Sequence, residues 1–326
     1  MEGKVVAITG CTTGTGFTLA KTCALKGAYV LMLNRKSDRA TEAVAEINKL
    51  EGIVKPAKHV TCDLARMSSV KNAVEDLHTI CEHTGLDVLC NNAGIMGGAQ
   101  SRSKDKHEET IQVNHLSHFF LGSDCWDLLE LAAEKRGESR IVHHSSMARN
   151  NPASPLKMKF FEKDKEDKSR KVNSDAAKWG GDGMKAPWVR YQQSKLANLL
   201  TTYAIDEHIR LNKSKVLSLC AHPGVSRTNL QKTMIASRKM SLVDTYVLNS
   251  INKFYQHTDD GALGIIKCCC EAGVKSGEFY GPDPKLRVGK PVLLAEERNK
   301  KSQDALWEIS KDVTGVDAFG KQDIWH

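Results

Sequence analysis

The sequence has little of what marks fibrous, disordered or membrane-spanning chains. Only 8 of its 326 residues are proline, and aromatic residues make up 6%. No stretch of 18 apolar residues occurs, and no charged segment followed by an apolar one precedes the first apolar run at Val5–Thr9. The composition excludes collagen-like and largely disordered chains, and the missing apolar stretch argues against a transmembrane helix. We therefore predict a soluble, cytoplasmic protein with neither signal peptide nor membrane anchor.

The ten cysteines lack the spacing of metal or redox motifs, because no Cys-x-x-Cys pair and no zinc-ribbon spacing occurs. Cys268, Cys269 and Cys270 are adjacent in an apolar stretch, where a helix would point them in different directions. We interpret the cysteines as small buried hydrophobic residues in a reducing compartment, rather than as ligands or disulfides. His115 and His118 are three residues apart, but no acidic residue or Cys completes a ligand set. No metal is predicted.

The charge balance is a modest positive surplus. Lys and Arg number 47 against 39 Asp and Glu, which gives a net charge of +8. This scattered surplus does not predict a nucleic-acid-binding surface. Half of it lies in residues 149–185, which hold ten basic and six acidic residues together with Phe160, Phe161 and Trp179. Two interpretations of that polar insertion stay open: a solvated surface loop, or a mobile segment that covers the substrate.

Short apolar segments alternate with amphipathic ones along most of the chain. Such alternation predicts βαβ units and a parallel sheet covered by helices on both faces. The predicted strands are Val5–Thr9, Tyr29–Asn34, Val54–Val60, Val88–Asn91, Ile141–His144, Val216–Ala221 and Gly277–Tyr280. The predicted helices are Phe17–Lys26, Asp38–Leu50, Ser69–His83, Glu108–Lys135 and Arg190–His208. No linker separates two domains, so we predict one domain over residues 1–326, with a helical extension at 294–326.

A glycine-rich loop directly follows the first predicted strand. Gly10, Gly14 and Gly16 free the backbone for a tight turn and for the close approach of a pyrophosphate, which the N-terminus of the next helix would bind. The second strand ends at Asn34 and is followed by Arg35 and Lys36, where an acidic residue would hold the ribose of NAD. A basic pair accommodates the 2′-phosphate instead. The loop therefore predicts a dinucleotide site, and the basic pair predicts NADP(H).

Four motifs in order make the sequence resemble the short-chain dehydrogenase/reductase family over nearly its whole length. They are Thr9-Gly10-x-x-x-Gly14-x-Gly16, Asn91-Asn92-Ala93-Gly94, a serine before a long gap, and Tyr191-x-x-x-Lys195. The resemblance implies a single-domain Rossmann fold with a doubly wound, seven-stranded parallel sheet. It also implies the catalytic set Asn114, Ser146, Tyr191 and Lys195. The cofactor-binding residues it implies are Gly10, Thr12, Thr13, Gly14, Thr15, Gly16, Arg35, Lys36, Asp63, Leu64, Asn92, Ala93, Gly94, Tyr191, Lys195, Pro223, Gly224, Val225 and Thr228.

Tyr191 and Lys195 are four residues apart, so on a helix their side chains share a face. An ordinary phenol has a pKa of about 10 and is a poor acid–base group near neutrality. We expect the Lys195 ammonium to favour the phenolate and to lower the pKa of Tyr191. Ser146 follows the fifth strand, where its hydroxyl can bind the reacting oxygen. By family position Ser146 is the catalytic serine, although spacing alone does not separate it from Ser145.

Three further segments are Ser194-Lys195-Leu196-Ala197-Asn198, His222-Pro223-Gly224-Val225 and Leu306-Trp307-Glu308-Ile309-Ser310. With them the sequence resembles the branch that includes retinol dehydrogenases and protochlorophyllide reductases. Two departures are Thr15, at a position that is usually aliphatic, and the 45 positions between Ser146 and Tyr191, more than is usual in this branch. The expected activity is hydride transfer between NADP(H) and the carbonyl or alcohol of a fairly apolar small molecule. Two alternatives stay open: reduction of a carbon–carbon double bond, and a non-catalytic NADP-binding regulator. Nucleic acid is not an expected partner, and a homodimer is an open option.

Overall fold

A twisted sheet forms the centre of the computed structural model, which describes residues 1–96, 102–150, 155–163, 186–225, 256–316 and 319. The strands in this part of the chain are β1 (Val5–Thr9), β2 (Tyr29–Asn34), β3 (Lys58–Thr61), β4 (Val88–Asn91), β5 (Ser139–His144), β6 (Val216–Ala221), β7 (Phe279–Pro282) and β8 (Pro291–Leu293). Their order is β3-β2-β1-β4-β5-β6-β7-β8. The first seven strands pair in parallel, and β8 pairs with β7 in antiparallel orientation.

Helices cover both faces of the sheet. In the described residues they are α1 (Gly14–Leu25), α2 (Asp38–Asn48), α3 (Met67–Cys81), α4 (Glu109–Ile111), α5 (Ser117–Asp124), α6 (Trp126–Arg136), α7 (Ala186–Asn212), α8 (Thr258–Cys270) and α9 (Lys300–Thr314). A π-helical turn at Gln112–Leu116 joins α4 to α5, and 3₁₀ turns lie at Met147–Asn150 and Met158–Phe160. No helix of the described residues is long and apolar enough to cross a membrane.

The alternation of side chains along β1 explains why both faces need a cover. All five residues of this strand are buried. Val5 and Ala7 pack in a cluster with residues of α3, α5, α6 and α7, whereas Val6 and Ile8 pack in another with residues of α1, α2 and α8. A strand that buries both faces cannot leave either one to water, so the helices must lie on both sides.

The predicted doubly wound α/β fold is confirmed, with differences at its boundaries. The described sheet has one strand more than the seven expected, because the short strand β8 adds an antiparallel edge. The third strand begins at Lys58 instead of Val54. The helix expected over Glu108–Lys135 is divided by the π-helical turn and by a break at Cys125.

The polar insertion at 149–185 lies mostly outside the described residues, including Trp179. Its described part carries Phe160 and Phe161, which are 3% and 0% exposed and pack with Leu116, Leu200 and Leu306. These two aromatic residues therefore belong to a core cluster. Their presence does not support the interpretation that this part of the insertion covers the substrate.

The strand order reverses beside β1, because β2 lies on one side of it and β4 on the other. In a doubly wound sheet such a reversal opens a crevice at the carboxyl ends of the strands. The glycine loop, Asn91–Gly94, Ser146 and the residues after β6 all follow carboxyl ends next to this crevice. The fold therefore brings four separate sequence motifs to one edge of the sheet.

Asp87 is buried at the edge of the sheet opposite the crevice, directly before β4. Its side chain is 1% exposed, accepts a hydrogen bond from the Val5 backbone N–H at 2.8 Å and pairs with the Arg136 guanidinium. Asp87→Asn replaces one acceptor oxygen with an NH₂ group that must face one of these two donors. We expect the free energy of unfolding to fall by about 2–3 kcal/mol in urea denaturation. Asp76→Asn, at an exposed position of α3, is the control and should change it by less than about 0.5 kcal/mol. Equal unfolding midpoints for the two variants would contradict this role.

Candidate active site

The glycine loop between β1 and α1 is shaped by close contacts that exclude side chains. A Cβ atom on Gly16 would lie 2.3 Å from Asn92 Nδ2 and 2.5 Å from the Gly10 carbonyl oxygen. A Cβ atom on Gly10 would lie 2.7 Å from the Cβ of Ala93. The loop therefore presents backbone at the N-terminus of α1, where N–H groups and the helix dipole favour a phosphate. This cradle fits the pyrophosphate of a dinucleotide.

The side chain of Asn92 joins the loop to β5. Its Nδ2 donates to the carbonyl oxygens of Thr9 at 2.9 Å and Gly10 at 3.0 Å. Its Oδ1 accepts from the Thr15 hydroxyl at 3.2 Å and pairs with the His144 ring at Nδ1, 3.0 Å away. The hydroxyl of Thr15, which departs from the family pattern, therefore has a partner inside the site.

The predicted 2′-phosphate position lies at the end of β2. Arg35 and Lys36 are both exposed there, directly after Asn34. Asn34 is 5% exposed, and its Oδ1 accepts a hydrogen bond from the Cys11 backbone N–H at 2.9 Å. No sequence motif points to Asn34, whose side chain connects the glycine loop to the strand that precedes the two basic residues.

Asp63 and Leu64 follow β3 on the same side of the sheet. Asp63 is half-buried, and its Oδ1 accepts a hydrogen bond from the backbone N–H of Ala65 at 3.2 Å. Leu64 is 6% exposed and belongs to the core cluster that also contains Val60. These two residues follow the carboxyl end of β3, at the edge of the sheet that also carries the glycine loop.

Tyr191 and Ser146 meet across the crevice. The side chain of Ser146 hydrogen-bonds Tyr191, and this bond favours the phenolate. Burial acts in the opposite direction and has the larger effect, so the pKa of Tyr191 is raised above its usual value. The structure therefore contradicts the expectation that Lys195 lowers the pKa of Tyr191.

The position of Lys195 explains that difference. Its Nζ lies 5.9 Å from the centroid of the Tyr191 ring and donates to the His144 carbonyl oxygen at 2.8 Å. Lys195 is 3% exposed, and burial lowers the pKa of its ammonium to about 8. The amine thus points toward β5. His144 therefore has two roles that no sequence motif indicates: its ring pairs with Asn92, and its carbonyl oxygen binds the amine.

Asn114 lies in the π-helical turn, a distortion that often marks functional sites. Its Oδ1 accepts from the Ile95 backbone N–H at 2.7 Å, and its Nδ2 donates to the Ile95 carbonyl oxygen at 2.9 Å and to Ser194 Oγ at 2.9 Å. A Cβ atom on Gly94 would lie 3.0 Å from Lys195 Nζ and 3.4 Å from Asn114 Oδ1. Two of the four motifs and the predicted residue Asn114 therefore meet at Gly94.

Comparison with known proteins agrees with this geometry. A family model described as short chain dehydrogenase matches residues 4–157. The WW domain-containing oxidoreductase of Gallus gallus is 30% identical over 315 residues, which cover 95% of this chain and 68% of that protein. The chain belongs to the short-chain dehydrogenase/reductase family. Retinol dehydrogenase 12 of Mus musculus is 28% identical over 97% of this chain and 88% of its own length, which places the chain near the retinol dehydrogenases.

Solved structures support the same fold. An uncharacterized protein from Mycobacterium Paratuberculosis superposes with a TM-score of 0.69 at 26% identity, over 98% of this chain and 96% of that one. The 3-ketoacyl-(acyl-carrier-protein) reductase from Brucella melitensis, complexed with NADH, superposes with a TM-score of 0.58 at 21% identity, over 85% of this chain and 95% of that one.

The loop after β6 lies at the same edge of the sheet as the glycine loop. Gly224 has a φ of +64°, and a Cβ atom there would lie 2.5 Å from the Arg287 carbonyl oxygen. The Val225 backbone N–H donates to that same oxygen at 3.0 Å, and Gln256 Nε2 donates to the Pro223 carbonyl oxygen at 2.7 Å. Thr228, the last predicted cofactor residue, lies outside the described residues.

Two buried histidines near the candidate active site lie within hydrogen-bond distance of neighbouring residues. His115 Nε2 lies 2.7 Å from Ser310 Oγ, and His118 Nδ1 lies 3.1 Å from the Asn114 carbonyl oxygen. Burial lowers the pKa of His115 to about 3 and that of His118 to about 4. In the described part of the chain, no group of three or more His, Cys, Asp or Glu could hold a metal ion.

The lowered pKa of Lys195 predicts how stability depends on pH. The folded chain releases this proton at about pH 8, whereas the ordinary value is 10.5. Burial of the ammonium therefore destabilises the fold below pH 8, and the penalty disappears as the pH rises to about 10.5. Lys195→Met removes this penalty. As the pH is lowered from 10 to 7, the free energy of unfolding of the variant should therefore rise by about 2–3 kcal/mol relative to that of the unaltered chain. Urea denaturation at both pH values measures this, with the exposed Lys21→Met as control. A pH-independent difference would refute the penalty.

Proposed function

We propose that this chain transfers a hydride between NADP(H) and the carbonyl or alcohol group of a fairly apolar small molecule, with Tyr191 as the acid–base group. The observation that carries the proposal is the meeting of Ser146, Tyr191 and Lys195 beside a glycine cradle that fits a pyrophosphate. The cofactor supplies the hydride when it is bound. The protein's own task is to position the reacting oxygen and to move a proton.

Each side chain has a distinct part in the proposed reaction. The Ser146 hydroxyl holds the reacting oxygen by a hydrogen bond, and Tyr191 donates its phenolic proton to that oxygen as it gains charge. Because burial raises the pKa of Tyr191, the protonated phenol that this step needs is the favoured form. Lys195 places its amine 5.9 Å from the centroid of the Tyr191 ring, and Asn114 holds the backbone of Ile95, the residue after Gly94.

The choice of NADP(H) rests on Arg35 and Lys36, which are exposed at the end of β2 with Asn34 before them. An Arg guanidinium binds phosphate oxygens through two parallel hydrogen bonds. The apolar substrate class is supported by two relatives, named polyprenol dehydrogenase in Homo sapiens and retinol dehydrogenase 12 in Mus musculus. The cytoplasmic location, the single-domain organisation and the role of the polar insertion in substrate entry stay predictions from the sequence.

Cofactor choice is tested by reversing the charge at Arg35. Arg35→Asp removes a phosphate partner and adds repulsion, so NADPH affinity should fall at least tenfold more than NADH affinity. Fluorescence titration gives the dissociation constant of each cofactor. Lys58→Asp makes the same charge change at the amino end of β3 and should alter neither constant by more than about twofold. An equal loss for both cofactors in Arg35→Asp would remove the case for NADP(H).

The acid–base role is tested by Tyr191→Phe, which removes one oxygen and keeps the ring. Turnover should fall by about 10²–10⁴, the usual contribution of a positioned acid–base group, while NADPH binding persists. The measurements are kcat on the best substrate of a carbonyl panel and the NADPH dissociation constant. Tyr29→Phe, at the amino end of β2, is the matched control and should keep full turnover. If Tyr191→Phe retains most of kcat, Tyr191 is not the proton donor.

A further inference from the structure

The turn that follows Ser146 is held by an arginine that no motif predicted. Arg149 lies in the 3₁₀ turn Met147–Asn150. Its backbone N–H and its Nη1 both donate to the Ser146 carbonyl oxygen, each at 3.2 Å. The side chain of Arg149 is 5% exposed, and its guanidinium lies 4.4 Å from the centroid of the Phe279 ring. A guanidinium buried to this degree needs a well-placed anion.

Glu297 is that anion, and it comes from the far end of the chain. Arg149 Nε donates to Glu297 Oε2 at 3.0 Å, and Nη2 donates to Oε1 at 2.6 Å. This is a two-bond arrangement between a planar guanidinium and a carboxylate, which fixes orientation as well as distance. The carboxylate is 30% exposed, so the pair is shielded from water mainly on the arginine side.

The segment around Glu297 is itself attached to α7. The Glu297 backbone N–H donates to the Tyr203 hydroxyl at 3.1 Å. Arg298 Nη2 donates to Asp206 Oδ2 at 2.6 Å, and its guanidinium lies 4.7 Å from the centroid of the Tyr203 ring. Tyr203 and Asp206 stand on the same helix as Tyr191 and Lys195. The residues 297–298 therefore connect the Ser146 turn to the helix that carries the acid–base pair.

We propose that Arg149 and Glu297 are positioning residues, which hold the Ser146 turn in register with α7 so that the serine hydroxyl meets the Tyr191 phenol. The inference rests on the proposed roles of Ser146 and Tyr191. Neither Arg149 nor Glu297 needs to touch the substrate or cofactor for this effect. A loosened turn would lengthen the Ser146–Tyr191 hydrogen bond, and small displacements at a reacting centre reduce turnover by up to about 100-fold.

The test compares Glu297→Gln and Arg149→Lys with Arg136→Lys. Glu297→Gln keeps the shape of the carboxylate without its charge, and Arg149→Lys keeps the charge without the two-bond fork. Arg136→Lys makes the same change in the arginine–carboxylate pair with Asp87 at the opposite edge of the sheet, and it leaves the Ser146 turn, Glu297 and α7 unaltered. We expect kcat to fall about 10- to 100-fold in the first two variants and to stay within twofold in the third, with the NADPH dissociation constant unchanged in all three.

The pH profile of alcohol oxidation gives a readout that mere destabilisation would not move. Oxidation needs the Tyr191 phenolate, and the Ser146 hydrogen bond lowers the pKa of that phenol. Weakening the bond raises the pKa, so the acid limb of kcat should move to higher pH in Glu297→Gln and Arg149→Lys only. Ser146 and Lys195, which both face the Tyr191 ring, are unaltered in these variants.

Amide hydrogen exchange separates this inference from the proposed function. Exchange in the peptide that spans residues 146–150 should accelerate in Glu297→Gln and Arg149→Lys but not in Arg136→Lys, whether or not a substrate has been found. If the unaltered chain reduces no carbonyl with NADPH, the proposed function fails while the exchange result stands. If the chain is active and the three variants share the same kcat, pH profile and exchange, the positioning role is wrong.

Discussion

The side-chain amide of Asn92 is the contact on which the candidate site depends. Its two N–H bonds hold carbonyl oxygens of β1 and of the glycine loop, and its oxygen is shared by Thr15 and His144. These four partners use the full hydrogen-bonding capacity of a primary amide. Because Asn92 is 8% exposed, loss of the amide would leave buried polar groups without partners on two strands and one helix.

His144 connects Asn92 and the glycine loop to Lys195 of the acid–base pair. Its ring pairs with Asn92, while its backbone carbonyl oxygen accepts hydrogen bonds from Lys195 Nζ at 2.8 Å and Asn198 Nδ2 at 3.0 Å. Burial lowers the pKa of Lys195 and raises that of Tyr191, so a low-dielectric site disfavours both charged forms at once. The hydrogen bond from Ser146 partly offsets that cost for the phenolate.

The sequence predicts the parts of this site that depend on local geometry. The i,i+4 spacing places Tyr191 and Lys195 on one helix, and three strand ends bring Gly10, Asn92 and Ser146 to one edge. It does not reveal where Lys195 points, because that depends on a carbonyl 51 residues away. The apolar periodicity also does not predict the π-helical turn at Asn114, because one widened turn leaves the apolar pattern of the flanking helices nearly unchanged.

Residues joined by tertiary contacts alone are the least readable from sequence. Ser146 and Tyr191 belong to different elements, and the segment that links these elements lies about a hundred residues further on, at Glu297 and Arg298. Neither residue stands in a motif, and a charged pair in a late loop is ordinarily solvated. The pair of Arg149 and Glu297 differs, because Arg149 is buried against the Phe279 ring. A buried guanidinium without its carboxylate partner would destabilise the fold. The geometry of the reacting end of the site thus depends on the packing of residues after β8 as well as on the motifs.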